Sequence, residues 1–541
     1  MNKLIGKLQF STVSAHMAVL LILITVTTII YSNSFQAPFV FDDFINIVDK
    51  NTMQMTNLGY QSLHRAAFEG MNSQRWLPNL SYGLNYYFGG QDVWGYHLVN
   101  LVVHILTALV LYGLFFTTLT LPKLGFSPRR AGEVSMIAAL IWAVHPLQTN
   151  AVTYIVQRMT SMAALFYLAA LLCYIRGRLA DRAGAGRYIY WFSAFICALL
   201  ALASKQNSAM LPVMIVAYEF YFLRERDDRP NIKKVAITTG AALLAVFALG
   251  WLFVGANPLA AVFAGYGGRD FSLAERLLTQ TRVIFHYLSL IVLPLPSRLN
   301  LAYDYQISTS LFSPYTTLLA TIGIAGLSGL VIFLFRRHRL LSFGLLWFLL
   351  NLAIESTVIP LELVFEHRLY LPSSMLLLAF TAAVYRLWTR RRDLLRASWA
   401  AVIIALCLFT WQRNTVWATE VDLWEDVVKK SPNLIRSYIY LAWAYNREDR
   451  YRETFELFQR AAEKGLEDVD IYNNSGKAAF QLGMADKAVE LFEKAIKLDR
   501  FHPESHYNLG VAYGELGEIA KARREMALGM ELQQAKAKRI N

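Results

Sequence analysis

Residues 96–117 read YHLVNLVVHILTALVLYGLFFT, a run without Asp, Glu, Lys or Arg. A helix of about 20 such residues spans the hydrocarbon core of a bilayer. Its polar members, His97, Asn100 and His104, sit three and four residues apart near one end, so they share a helix face. A membrane-spanning helix with a polar stripe at its outer end is the unit from which the rest of the chain is read.

Ten further apolar segments accompany it: 11–32, 133–148, 153–175, 188–204, 208–223, 235–256, 315–335, 341–359, 371–388 and 397–412. The expected architecture is therefore all-α and polytopic, with eleven transmembrane helices. The first run, from about His16 to Tyr31, lacks a small-residue cleavage site and reads as an uncleaved span. Lys3 and Lys7, then the basic loops 118–132, 176–187 and 224–234, Arg336 to Arg339 and Arg390 to Arg396, set the orientation by the positive-inside rule. All of them face the cytoplasm only if 277–296, interrupted by Arg282 and His286 and ending in Pro294 and Pro296, is re-entrant or interfacial. Large outer loops are then 33–95 and 257–314, and the C-terminal part lies outside. Such loops suit chemistry at the outer face better than a pore.

Composition agrees. The 541 residues are 55% hydrophobic and 17% charged. The net charge of +13 divides unevenly. Residues 1–412 hold 32 Lys and Arg against 18 Asp and Glu, and residues 413–541 hold 20 against 21. The basic excess is topological and calls for no nucleic acid. Cys173, Cys197 and Cys407 lie in apolar runs and form no disulfide framework. The reading is a membrane domain, 1–412, followed by a water-soluble domain, 413–541.

The soluble part repeats every 34 residues. Ala442, Gly476 and Gly510 are one such series, Tyr445, Ala479 and Tyr513 a second, and Phe458, Phe492 and Met526 a third. Small residues let paired helices approach and large ones fill between them, the pattern of tetratricopeptide repeats at 433–466, 467–500 and 501–534. Trp424 stands one period before Phe458, which makes helix 415–430 half of an earlier repeat. Such arrays bind proteins or peptides.

The strongest chemical pattern is Phe39-Val40-Phe41-Asp42-Asp43 just after the first span. Adjacent carboxylates beside a membrane repel, so one needs a raised pKa or a cationic partner. Taken singly, an Asp-Asp pair is most often a cap or a solvated turn. Here Arg75-Trp76-Leu77-Pro78 shares its loop, and His97 and His145 end neighbouring spans. Arg158, Lys205, Arg282 with His286, and Glu366-His367-Arg368 gather at the same outer face. Ionisable groups at this depth are costly and usually functional.

These motifs in this order resemble the transmembrane and tetratricopeptide-repeat-containing glycosyltransferases of GT-C architecture. The resemblance rests on Phe39 to Asp43, Arg75 to Pro78, Gly95 to Asn100, His145-Pro146, Ala151 to Tyr154, Ser204-Lys205 before Leu211-Pro212, Arg368 to Ser373, and Arg413-Asn414 before Trp417. It runs over nearly the whole chain, and the short repeat array and compact loops point to a bacterial inner-membrane member. It implies a protein O-mannosyltransferase using a polyprenyl-phosphate-linked hexose and acting on Ser or Thr hydroxyls outside the cytoplasm. Asp42 or Asp43 is then the catalytic base. Arg158, Lys205, Arg282, His367 and Arg368 hold the donor phosphate and lipid, and Arg75, His97, His145 and Glu366 position sugar or acceptor. Direct displacement would invert the anomeric centre. No metal or other cofactor is required on this reading, although the Asp-Asp pair is compatible with a divalent cation. The expected partners are the lipid-linked sugar, membrane lipids, and a protein met through the repeats. The alternatives are a lipid-linked oligosaccharide ligase, a non-catalytic scaffold, and a transporter or flippase. The transporter would need midplane charges and two related halves.

Overall fold

A computed structural model describes residues 2–180, 184–224, 258–388 and 391–540, with six isolated positions between 237 and 251. Every regular element among the described residues is helical. Two compact units result. One comprises 1–299 and 305–417, the other 300–304 and 418–541.

Six described helices are long and apolar enough to cross a membrane: Val13–Ser34, Val93–Leu119, Ile155–Leu179, Ala185–Leu202, Thr316–Leu334 and Arg392–Thr415. Arg339–Ala353 and Pro372–Leu387 are shorter apolar helices. Of the other expected spans, 133–148 folds as Pro128–Ala143, whose first turns carry Arg129, Arg130 and Glu133. Segment 208–223 becomes Leu211–Tyr218 followed by one wider turn, Glu219–Leu223. Most of 235–256 lies outside the described residues. Proline explains the short starts. Pro146, Pro212 and Pro372 each occupy the first turn of a helix, where a missing N–H costs nothing.

The 277–296 stretch lies mostly in helix Leu273–Val292, opened by a reciprocal Ser272–Glu275 capping box. The helix is amphipathic, and one face buries Arg276, Thr279, Gln280, Val283 and Tyr287. It is not among the six long apolar helices.

In the second unit three helix pairs follow the 34-residue period: Ile435–Arg447 with Tyr451–Glu463, Val469–Gln481 with Ala485–Leu498, and Pro503–Glu515 with Ile519–Ile540. Each first helix ends the same way. The N–H of Arg450, Met484 and Glu518 reaches back to the carbonyl of Tyr445, Ala479 and Tyr513, at 2.9–3.0 Å. The residue before each donor is left-handed: Asp449, Gly483 and Gly517, with φ of 56°, 75° and 78°. Aspartate therefore stands where the other two repeats use glycine. Helix Glu420–Lys430 begins five residues later than read from sequence, because Thr419 caps it through the Asp422 N–H at 3.0 Å. Its buried Trp424 stacks on Tyr440 at 4.6 Å. Residues Asn300–Asp304 join this unit through Ser431, whose hydroxyl donates to the Ala302 carbonyl and accepts from the Asp304 N–H.

Close packing in the pairs depends on the missing side chains. A Cβ on Gly510 would lie 2.8 Å from the Ala522 carbonyl oxygen and from the Met526 amide nitrogen, both main-chain atoms that cannot swing aside. Gly510→Val should destabilise the second unit by about 2 kcal/mol. Asp449→Gly should stabilise it, by up to about 1 kcal/mol, by relieving the left-handed aspartate. Thermal unfolding of the full chain, followed by the loss of helical signal, checks both signs.

Candidate functional site

The segment after the first span turns sharply at Phe41, whose φ is 49°. This left-handed conformation is uncommon for a bulky residue and costs roughly 1–3 kcal/mol unless the surroundings hold it. Asp43 provides that hold. Its carboxylate is fully buried and accepts the N–H of Val40 through Oδ2 at 2.9 Å and that of Val156 through Oδ1 at 2.7 Å. Burial pushes the Asp43 carboxyl well above the usual carboxylate range, against two N–H groups that favour its charged form. Asp42 differs. It is half-buried, its N–H donates to the Tyr154 hydroxyl at 2.9 Å, and that hydroxyl also bonds its side chain. The two carboxylates thus occupy different environments, one closed inside the turn and the other at its rim.

Arg75 ends the turn before helix Trp76–Gly89. Its Nε donates to Gln206 at 3.0 Å and its Nη1 lies 2.9 Å from the Met159 sulfur. It feels the charges of both Glu355 and Asp42. Burial pulls its guanidinium below the usual arginine value.

Lys205 breaks from helix Ala185–Leu202 in an extended conformation, φ −157°. Its ammonium pairs with Glu355 Oε1 at 2.8 Å and donates to Thr160 at 3.1 Å. Asn207 holds the other oxygen of Glu355 at 3.3 Å. Burial lowers the Lys205 pKa, Glu355 opposes the shift, and Arg75 and Arg368 add to it. Glu366, His367 and Arg368 form one buried helical turn. His367 Nδ1 meets Asn150 Oδ1 at 2.9 Å, and Arg368 lies over the Phe365 ring at 5.5 Å. Burial, then Lys205, Arg368 and Arg75, depress the His367 pKa far below normal, so its imidazole is neutral. Arg75, Lys205 and Arg368 thus lie within electrostatic reach of neutral His367, and Glu355 pairs with Lys205.

Other expected site residues have different work. Arg158 is fully buried and bonded to protein: Nε to Asn100 at 2.6 Å, Nη1 to Ser81 at 3.0 Å, Nη2 to the Tyr96 carbonyl at 3.0 Å, with its guanidinium over the Tyr82 ring. The phosphate role is thereby corrected to one of joining three helices. Arg282 lies six residues beyond Arg276, roughly 120° around the same helix. It bonds Gln306 and Ser308 rather than joining the cationic group. His97 and His145 are buried against the carbonyls of Ala37 at 2.8 Å and Ile291 at 3.0 Å. Through these contacts His97 braces the loop that carries Ala37, and His145 the last turn of helix Leu273–Val292.

Two site residues escaped the sequence reading. Glu355 lies inside the apolar segment 341–359, four residues from its end, as a lone acid with no motif around it. Arg276 is fully buried and donates to the carbonyls of Thr357, Leu361 and Glu355, which fixes the loop that carries Glu355. The only signal for Arg276 is its helical spacing from Gln280 and Tyr287. Among the described residues no three His, Cys, Asp or Glu side chains gather to hold a metal.

A family described as "TPR repeat" matches residues 476–517, and "Tetratricopeptide repeat" matches 503–536. Protein O-mannosyl-transferase TMTC3 of Mus musculus is 25% identical over 86% of this chain and 53% of its own length. Tmtc3 of Drosophila melanogaster is 24% identical over 86% of this chain and 57% of its own. The chain is similar to these proteins over most of its length. Human TMTC4 is 30% identical over a shorter stretch, 35% of this chain and 27% of its own. The chain spans about half the length of the curated relatives that it matches over most of its own length.

The division of roles is measurable. Arg158→Gln removes charged hydrogen bonds from a sealed site and should cost about 3 kcal/mol of stability. Asp42→Asn, at the rim, should stay within about 0.5 kcal/mol. Unfolding midpoints of the purified full chain distinguish them.

Proposed function

We propose that the chain is a membrane glycosyltransferase that moves mannose or a similar hexose from a polyprenyl-phosphate donor to Ser or Thr hydroxyls of a protein. The observation that carries this reading is Arg75, which lies within electrostatic reach of both Asp42 and the Lys205–Glu355 pair. On this reading a base and a phosphate site adjoin across one cationic side chain. The relatives' names support the same reaction class.

In this mechanism Asp42 takes the proton of the acceptor hydroxyl as its oxygen attacks the anomeric carbon. The bond from that carbon to the donor phosphate breaks, and the phosphate leaves with the electron pair. Lys205 and Arg368 stabilise the charge that develops there, with Arg75 beside the reacting groups. Neutral His367 already donates its Nδ1–H to Asn150 Oδ1, so its Nε2 presents a lone pair that can accept from a sugar hydroxyl. Asp43 is a positioning residue that fixes the turn and aims Asp42. One displacement inverts the anomeric centre. Glu355 holds Lys205 until the donor phosphate, a stronger and doubly oriented acceptor, competes for it. Each Asp43 oxygen already receives a main-chain N–H, and the proposed mechanism assigns no step to a metal. The reaction takes place on the extracytoplasmic face of the inner membrane, where the repeats recruit the acceptor or a partner protein.

The test is sugar transfer by the purified full chain from polyprenyl-phosphate mannose to Ser/Thr-containing acceptors. Asp42→Asn should lower turnover about 10²–10⁴-fold with donor binding retained. Lys205→Gln and Arg368→Gln should weaken use of the donor, about 10²-fold in turnover. Excess EDTA should leave the wild-type rate unchanged. Full transfer by Asp42→Asn would sink the assignment of the base.

A further inference from the structure

The basic end of the membrane unit has two adjoining cavities that the proposed reaction does not use. The larger, about 460 Å³, lies between helices Arg339–Ala353 and Pro372–Leu387. Its lining includes apolar Leu340, Leu341 and Ala383, and polar Arg337, His338 and Arg386. Arg337 and His338 immediately precede the first helix, and Arg386 stands in the last turn of the second. The polar lining is therefore gathered at one end. From there the cavity reaches back to Ala379, two turns or roughly 10 Å along the helix.

The smaller cavity, about 100 Å³, also includes Arg386, together with Arg130 and Arg392. Arg386 lies over the Phe126 ring at 4.6 Å and donates to the Leu124 carbonyl, so it is held in place between the two. The nearby acids are engaged elsewhere. Glu133 pairs with Arg396 at 2.7 Å and accepts from Tyr385 at 2.9 Å, and Asp393 also faces Arg396. Among the described residues no carboxylate lies within salt-bridge distance of Arg130, Arg337, Arg386 or Arg392.

Helix Pro372–Leu387 separates this end from Arg368 by 16 residues, roughly 24 Å. That distance is close to the thickness of a bilayer core. We propose that this end binds one anionic phospholipid of the surrounding leaflet, its phosphate between Arg337 and Arg386 and an acyl chain along Leu340, Leu341 and Ala383. Arg337 and Arg386 at the rim of the apolar groove, with Arg130 and Arg392 in the adjoining cavity, select a negative headgroup over a zwitterionic one.

The full chain, purified in detergent, would be mixed with phosphatidylglycerol or with phosphatidylcholine of the same acyl chains, and bound lipid counted by native mass spectrometry. One phosphatidylglycerol per chain should be retained, with roughly tenfold preference over phosphatidylcholine. R337Q/R386Q should abolish the preference. A383F should block binding with every arginine in place, and it carries the test if the charge variant misfolds. R129Q/R176Q, the same change in charge elsewhere on the basic surface, should retain it. Equal binding of the two lipids, equal loss in R129Q/R176Q, or undiminished binding by A383F would overturn the proposal. Displacement of the lipid by millimolar inorganic phosphate would overturn it in favour of a free-anion site.

Discussion

The membrane unit depends on one buried carboxylate. Asp43 accepts the N–H groups of Val40 and Val156, which joins the loop after the first span to the turn that opens helix Arg158–Leu179. Unpaired polar groups are costly where water is excluded, so each N–H needs that acceptor and the acceptor needs both N–H groups. The tie holds Phe41 left-handed and leaves Asp42 at the rim against Tyr154. Arg158, packed beside it, secures the same turn to Asn100, Ser81 and Tyr96.

The same constraint explains the cationic side of the site. The loop after helix Arg339–Ala353 has irregular main chain, and Arg276 supplies donors for three of its carbonyls. That support holds Glu355 against Lys205. The burial that makes these charges expensive also makes their electrostatic reach long, because little water screens them. Arg75, Lys205 and Arg368 therefore all reach His367 although the four come from three separate stretches of chain.

Much of the fold was legible because it is periodic. The 34-residue series in the second unit is reproduced down to its left-handed turn residues at Asp449, Gly483 and Gly517. The long apolar helices were legible from length and composition, whereas proline and charged first turns shortened others that had read as spans. The site was only partly legible. Sequence order singled out the residue types at Asp42, Asp43, Arg75, Lys205, His367 and Arg368. It grouped Arg158 and Arg282 with them because all are cations near the outer ends of apolar segments. It passed over Glu355 and Arg276, since each is a lone charge without a motif, one inside an apolar run and the other just before one.

By itself the sequence determined a helical membrane protein with a repeat array, and a set of charges concentrated near the ends of its apolar segments. Those properties follow from hydropathy and period, which are local and additive along the chain. Tertiary structure decided which charges are available. Two adjacent aspartates are indistinguishable by spacing, yet one is sealed by two N–H groups and the other is not. Arginine at 158 and arginine at 368 read alike, yet the first is bound on three sides by neighbouring helices. Availability depends on which donors and acceptors meet in space, and that is fixed only when segments distant in sequence pack together.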